Sequence, residues 1–109
     1  MLFTALDEGR SPRIFGDDYP TPGGTCVRDY VHVADMALAH VAAARHLQGG
    51  RALEPIYNLG SGEGTSVREI VDAVLRVTRV GARPVIVPRR AGDPARIVAD
   101  GSHAARNLG

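Results

Sequence analysis

Apolar side chains recur at helical spacing twice in this chain, and short runs of β-branched and aromatic residues stand around both recurrences. In ADMALAHVAAARHL (34–47), Leu38, Val41, Ala42 and Arg45 fall three or four apart, which predicts a helix over about 35–47 with one apolar face. Val67, Ile70, Val71, Val74 and Thr78 follow the same rule and predict a second helix over about 66–79 with a buried stripe. Ser66 and Glu69 open it with an S-x-x-E capping box, in which each side chain satisfies a backbone N–H that the first turn leaves unpaired. Gly49-Gly50 stops the first helix; Gly81 and Pro84 stop the second.

The remaining segments read as strands and turns. TCVRDYVHV (25–33), IYNL (56–59) and PVIVP (84–88) are expected strands, and Arg13 to Phe15 a shorter one. GDDYPTPGG (16–24) is an ordered loop by its Gly, Pro and Asp content, and GSGEGT (60–65) a turn. Residues 2–8 read as the tail of a helix ended by Gly9, Ser11 and Pro12. Residues 89–100 read as an Arg-bearing loop or edge segment. Ser102 is expected to cap a last short helix, HAARNL, that halts at Gly109. This order is an α/β alternation, with too few parts for a complete doubly wound sheet. A chain of 109 residues suits one small domain.

Composition excludes several classes. Thirteen basic against twelve acidic side chains leave +1, without the basic excess of a nucleic-acid binder. No apolar run approaches the roughly 20 residues of a membrane span. MLFTALDEGRSPR lacks the basic start of a signal peptide, so a cytoplasmic protein is expected. Cys26 is the one cysteine, which rules out an internal disulfide and any CxxC motif. All thirteen basic side chains are Arg, so no mechanism that needs a Lys can run on this chain's own residues.

Candidate chemistry narrows quickly. GSGEG (60–64) sits between an expected strand and a helix, but its spacing is not G-x-G-x-x-G, and no acid occurs between Asp72 and Asp93 to hold a ribose. A glycine turn into a helix accounts for it. His40 and His46 share a helix but lie six apart on different faces, so no metal site is expected. His32 reads as a hydrogen-bonded strand residue and Cys26 as a buried, inert thiol. Tyr19, Tyr30 and Tyr57 have no Lys to activate them, so no catalytic residue is assigned.

Two arginine features remain. Arg28 interrupts an apolar strand, either as a solvent-facing residue paired with an acid or as an anion ligand. Arg89-Arg90-Ala91-Gly92-Asp93 is either a solvated loop or a guanidinium fork that grips a phosphate while Asp93 takes a sugar hydroxyl.

IFGDDYPTPGGTCVRDYVHVADMALAH (14–40) resembles the signature stretch of the UDP-glucose 4-epimerase family, which are extended short-chain dehydrogenase/reductases. IYNLGSGEGTSVREIV (56–71), PRRAGDPARIVAD (88–100) and the final ARNLG follow in the family's order, so the resemblance covers essentially the whole chain. It implies a partial α/β domain over 1–109, the C-terminal UDP-sugar-binding portion of a Rossmann-type fold, active in galactose metabolism when joined to an NAD-binding half.

By the same resemblance Arg13, Ile14 and Phe15 line the uracil and ribose site. Arg28 contacts the diphosphate with Tyr30 beside it, Arg90 holds phosphate, and Asp93 takes the uridine ribose. Ile97 stands on the pocket wall near the hexose, where its size is expected to bear on which sugars fit. The implied partners are a UDP-sugar, the missing NAD-binding half and a second copy, since the family is usually homodimeric. The Gly-rich NAD fingerprint and the Tyr-x-x-x-Lys pair of the family are absent, and Gly23 stands where the family usually has Asp after TP. Both ends are therefore expected to be truncated and the isolated chain inactive. The other readings are a non-catalytic nucleotide-sugar binding module and an inert gene remnant.

Overall fold

A computed structural model describes residues 8–109. The elements are β1 (Arg13–Phe15), β2 (Val27–Arg28), α1 (Val33–Gln48), β3 (Thr65–Ser66), α2 (Val67–Thr78), β4 (Val85–Val87), β5 (Arg96–Ile97) and α3 (Ser102–Leu108). Helices and strands alternate, as the α/β reading requires. The helical tail expected over 2–8 lies outside the described residues except for Glu8, which is in a turn.

The chain divides into two compact units. The first takes the described residues up to Arg28 together with Thr65–Ile97. It holds every strand. β1 and β4 pair in parallel, Ile14 opposite Ile86. β2 is the centre of a second small sheet, antiparallel to β3 and parallel to β5, with Arg28 opposite Thr65 on one side and Ile97 on the other. α2 carries its capping box: Ser66 Oγ accepts from Glu69 N, and Glu69 Oε2 accepts from Ser66 N at 2.7 Å. Of its expected stripe Val71 is fully buried, while Val67, Ile70, Val74 and Thr78 are half-buried.

The core of this unit is built from Pro12, Ile14, Tyr19, Thr25, Cys26, Val27, Ser66 and Val71. Alternation along β1 turns Ile14 inward, at 1% exposure, and leaves Arg13 and Phe15 on the opposite face. Burying that one side chain contributes roughly 1.5–3 kcal/mol. Thr25 is fully buried, and its hydroxyl accepts from Arg68 N, tying the 16–24 loop to the start of α2.

The second unit, Asp29–Gly64 with Val98–Gly109, holds α1 and α3. His46 Nε2 lies 3.2 Å from Leu108 O, and the Tyr57 and His103 rings meet edge to face at 5.3 Å. α1 buries none of its residues fully, and Leu38 and Val41 of its apolar stripe are exposed.

Four expectations need correction. The strand over 25–33 is only Val27–Arg28, because β3 and β5 offer it two paired residues each; His32 is the N-cap of α1, its Nδ1 accepting from Ala34 N. IYNL (56–59) forms no strand, since none of its residues finds a ladder partner among the described residues. Ser102 does not cap α3: Gly101 is its N-cap, and Ser102 N donates to Asp100 Oδ1 instead. α2 ends at Arg79, which adopts the left-handed conformation (φ 56°) and donates its N–H to Leu75 O, before Gly81 is reached.

Candidate functional site

The first unit assembles a basic face from three separate stretches of sequence. β1 supplies Arg13 and Phe15, β2 supplies Arg28, and the turn after β4 supplies Arg90 and Asp93. The β1–β4 pairing brings the last of these close. Phe15 stands opposite Val87, and Gly16 N donates to Val87 O, so the chain leaving β4 starts out beside Phe15. The Arg90 guanidinium then lies 3.8 Å from the Phe15 ring centroid, with that of Arg13 at 5.6 Å from the same ring. One aromatic ring thus attracts two cations whose own repulsion would separate them.

Arg28 is held from two directions. Its Nη2 donates to Asp93 Oδ1 at 2.9 Å and its Nη1 to the carbonyl of Val27 at 2.8 Å. Both members of the pair are partly open to solvent, at 22% and 32% side-chain exposure, so screening keeps the pair's contribution small. Its use is geometric. Asp93 aims the guanidinium, and a guanidinium has more donors than these two bonds use. The turn that carries Asp93 is closed by its own N–H on Arg90 O and by Gly92 at φ +78°, a conformation that suits glycine.

The expected site residues therefore fall as follows. Arg13 and Arg90 lie against the Phe15 ring, Arg28 pairs with Asp93, and the Asp93 N–H to Arg90 O joins the two groups, all within the first unit. Ile97 is the strand partner of Arg28 and is 53% exposed. The Ile14 side chain is in the core, so any contact it makes with a ligand falls to its main chain. Tyr30 is 46% exposed and belongs to the second unit.

Arg89 and Arg90 do not form a fork. Successive residues of an extended segment point to opposite sides, and Arg89 goes to Asp18, whose carboxylate and carbonyl it binds, with its guanidinium 4.0 Å from the Tyr19 ring. That bond holds the Asp18 carboxyl below its ordinary range.

Three residues with structural consequences were not visible as such in the sequence. Arg89 braces the 16–24 loop through Asp18 and Tyr19. Tyr19 is buried, and its hydroxyl makes no well-formed hydrogen bond; the neighbouring Cys26 thiol, and then burial, push it above its ordinary 10.0. That is the wrong direction for a base near neutral pH. Asp29 accepts from Ser61 N and Ser61 Oγ on one oxygen and from Ala99 N on the other, and these bonds, the Ser61 hydroxyl first, hold its carboxyl below the usual range. The signal for Asp29 was its place between Arg28 and Tyr30, but nothing in the sequence said what it would bind.

In the glycine turn at 60–64 the Asp29 carboxylate takes both donors of Ser61, its N–H and its hydroxyl, which are then not offered to a phosphate. The turn leads into β3, and the helix beyond it has its first-turn donors satisfied: Val67 N by Cys26 O, Arg68 N by Thr25 Oγ1 and Glu69 N by Ser66 Oγ. Among the described residues no group of three or more His, Cys, Asp or Glu could hold a metal ion.

The model of the NAD dependent epimerase/dehydratase family matches residues 2–60. A UDP-glucose 4-epimerase of Streptomyces lividans is 52% identical over all 109 residues, which make up 32% of that protein. The chain thus spans about a third of the length of the curated relatives it matches. A crystal structure of a UDP-glucose 4-epimerase superimposes with a TM-score of 0.89 at 50% identity, over 97% of this chain and 32% of the other. The Bifidobacterium longum UDP-glucose 4-epimerase, solved in complex with NAD+ and UDP, superimposes with a TM-score of 0.81 at 41% identity, over 96% and 31%.

Proposed function

The chain belongs to the NAD dependent epimerase/dehydratase family, and from that premise we propose that it is the UDP-sugar-binding part of a UDP-glucose 4-epimerase, acting as a single region over 1–109. The observation that carries this reading is the turn that holds Arg90 against Phe15 and Arg13 while its Asp93 pairs with Arg28, 65 residues away in sequence. Three guanidiniums against one carboxylate favour an anion, and their planar forks match phosphate oxygens. In this reading Arg28 and Arg90 take the diphosphate. Asp93 accepts from a ribose hydroxyl, and Arg13, the main chain of Ile14 and Phe15 border the uridine. Tyr30 follows Arg28 by two residues, and Ile97 forms the wall on the hexose side.

NAD supplies hydride transfer in such an enzyme, but the described residues of this chain do not fit it, because the Ser61 donors of the glycine turn are committed to Asp29. The reading places NAD on a separate portion of a longer protein, which would be cytoplasmic and pair as a homodimer, a state that light scattering of the complete protein would test. No described helix is long and apolar enough to cross a membrane.

Titration calorimetry with UDP tests the site. Arg28→Ala and Arg90→Ala are each expected to cost roughly 1.5–3 kcal/mol of binding, the contribution of a charge-assisted contact. Arg45→Ala, in the last turn of α1, is expected to change nothing. Equal losses for all three would mean that UDP responds only to net charge.

A further inference from the structure

Arg89 and Arg90 are consecutive, yet their side chains go to different partners within the first unit. Arg89 Nε donates to Asp18 Oδ1 at 2.6 Å, its Nη2 donates to the Asp18 carbonyl, and its guanidinium lies 4.0 Å from the Tyr19 ring centroid. Arg90 lies 3.8 Å from the centroid of Phe15. All these partners stand on one short stretch, 15–19, which the β1–β4 pairing holds beside the chain leaving β4: Gly16 N donates to Val87 O at 2.8 Å. Gly16 lets the two stretches close. A Cβ there would come 2.5 Å from Arg89 Cγ and 2.8 Å from Tyr19 Cε2, so the stem of Arg89 fills the place a side chain would take.

The anchor is fixed at its far end. Tyr19 is buried, its N–H donates to Gly24 O and its carbonyl accepts from Thr21 N. The ion pair itself is open to solvent, with 41% and 72% side-chain exposure for Arg89 and Asp18, so it adds little to stability. What it fixes is position. A trans peptide keeps consecutive Cα atoms about 3.8 Å apart. A side chain tied down at 89 therefore limits where the main chain of 90 lies and which way its side chain leaves. Among the described residues no acceptor takes the Arg90 guanidinium, so its donors are open to a ligand and its direction depends on the main chain and on Phe15.

We propose that Arg89 is a positioning residue for the diphosphate site: anchored on Asp18 and Tyr19, it sets the main chain of the turn after β4 so that Arg90 leaves towards Phe15 and the phosphate. This deepens the UDP-sugar reading and rests on the assignment of Arg90 as a diphosphate ligand. Arg89 acts through its neighbour, because its own Nε and Nη2 are committed to Asp18.

Two variants of the 109-residue chain release the anchor with opposite changes of charge. Arg89→Met keeps the stem beside Gly16 and removes a positive charge; Asp18→Ala removes the carboxylate and a negative charge. Each is expected to weaken UDP binding about threefold in calorimetry, and to have less than about a 1.5-fold effect in an Arg90→Ala background, because coupled residues lose their effect together. Without ligand, the Arg90 Nε–H resonance, displaced by the Phe15 ring, should move towards its unstructured position in both, which a purely structural role for Arg89 would not require. The urea midpoint of Asp18→Ala should barely change. If Arg89→Met does not fold, Asp18→Ala decides, since its side chain is exposed. A direct contact of Arg89 with phosphate, or a response to net charge alone, gives opposite signs: a loss for Arg89→Met and a gain for Asp18→Ala. That pattern would overturn the proposal, as would an unmoved Arg90 resonance. A loss for Arg90→Ala with none for the two anchor variants removes the positioning role alone. Unaltered UDP affinity in Arg90→Ala removes the assignment of Arg90, and the proposal with it.

Discussion

At the scale of single residues, the glycines separate strain from collision. Gly24 has φ +74°, and a Cβ there would run into the backbone carbonyl of Asp17. Gly62 has the same φ, but nothing lies within 4 Å of its Cβ position. Gly62→Ala should therefore cost only the left-handed penalty, about 1 kcal/mol. Gly24→Ala should cost more, roughly 2–4 kcal/mol, because backbone cannot step aside as a side chain can. Urea unfolding of the two variants checks the ordering, and equal losses would show that φ alone matters. This difference was not legible in the sequence, where both glycines simply mark turns. Nor were the Arg28–Asp93 and Arg89–Asp18 pairs, whose members lie 65 and 71 residues apart. The motif pointed to Arg28, Arg90 and Asp93; only the folded chain joins Arg28 to Asp93 and sends Arg89 elsewhere.

At the scale of elements, α1 and α2 were legible because their signals are local. Apolar spacing and the Ser66–Glu69 box act within one or two turns, and both helices lie within two residues of the expected bounds. The strands were not, because a strand of two or three residues exists only through partners far along the chain. The box makes α2 pH-sensitive. Its bonds from Ser66 hold the Glu69 carboxyl below its ordinary 4.5. A depressed carboxyl stabilises the fold above its unfolded pKa, and that stability is lost as pH falls through the folded value. Unfolding free energy should thus be level at neutral pH and fall below about pH 4.5. Glu69→Gln should flatten its own share of that slope, as denaturation at several pH values would show. Ser66→Ala should cost about 0.5–2 kcal/mol at neutral pH. At the other end of α2, Arg79 sits at φ 56°, where a Cβ is unfavourable. Arg79→Gly should gain about 0.5 kcal/mol, the relief of strain less the added freedom of the unfolded chain. A loss of stability would mean that the arginine side chain contributes more than its backbone costs.

At the scale of the whole molecule, the isolated chain is expected not to interconvert UDP-glucose and UDP-galactose. The proposed site of Arg28, Arg90 and Asp93 would hold and orient a diphosphate, but a guanidinium has no acceptor with which to take a proton from a sugar hydroxyl. A tyrosine could, if a cation lowered its pKa, and the family's Lys for that purpose is missing along with every other Lys. Tyr19 goes the opposite way: Arg89 lies over its ring, yet the Cys26 thiol and burial outweigh that cation and raise the hydroxyl. Hydride transfer needs NAD held against the sugar, and the one glycine turn that might cradle its phosphates has its Ser61 donors committed to Asp29. Binding without a base or a hydride acceptor gives affinity and no turnover. Purified chain incubated with UDP-galactose and NAD should therefore release no UDP-glucose. Adding a separately expressed NAD-binding portion of a related epimerase should restore some conversion, and Arg28→Ala should abolish that gain if the chain contributes through its diphosphate site. Conversion by the purified chain with NAD alone would defeat this account, because it would require a proton acceptor other than Tyr19, whose hydroxyl is pushed up.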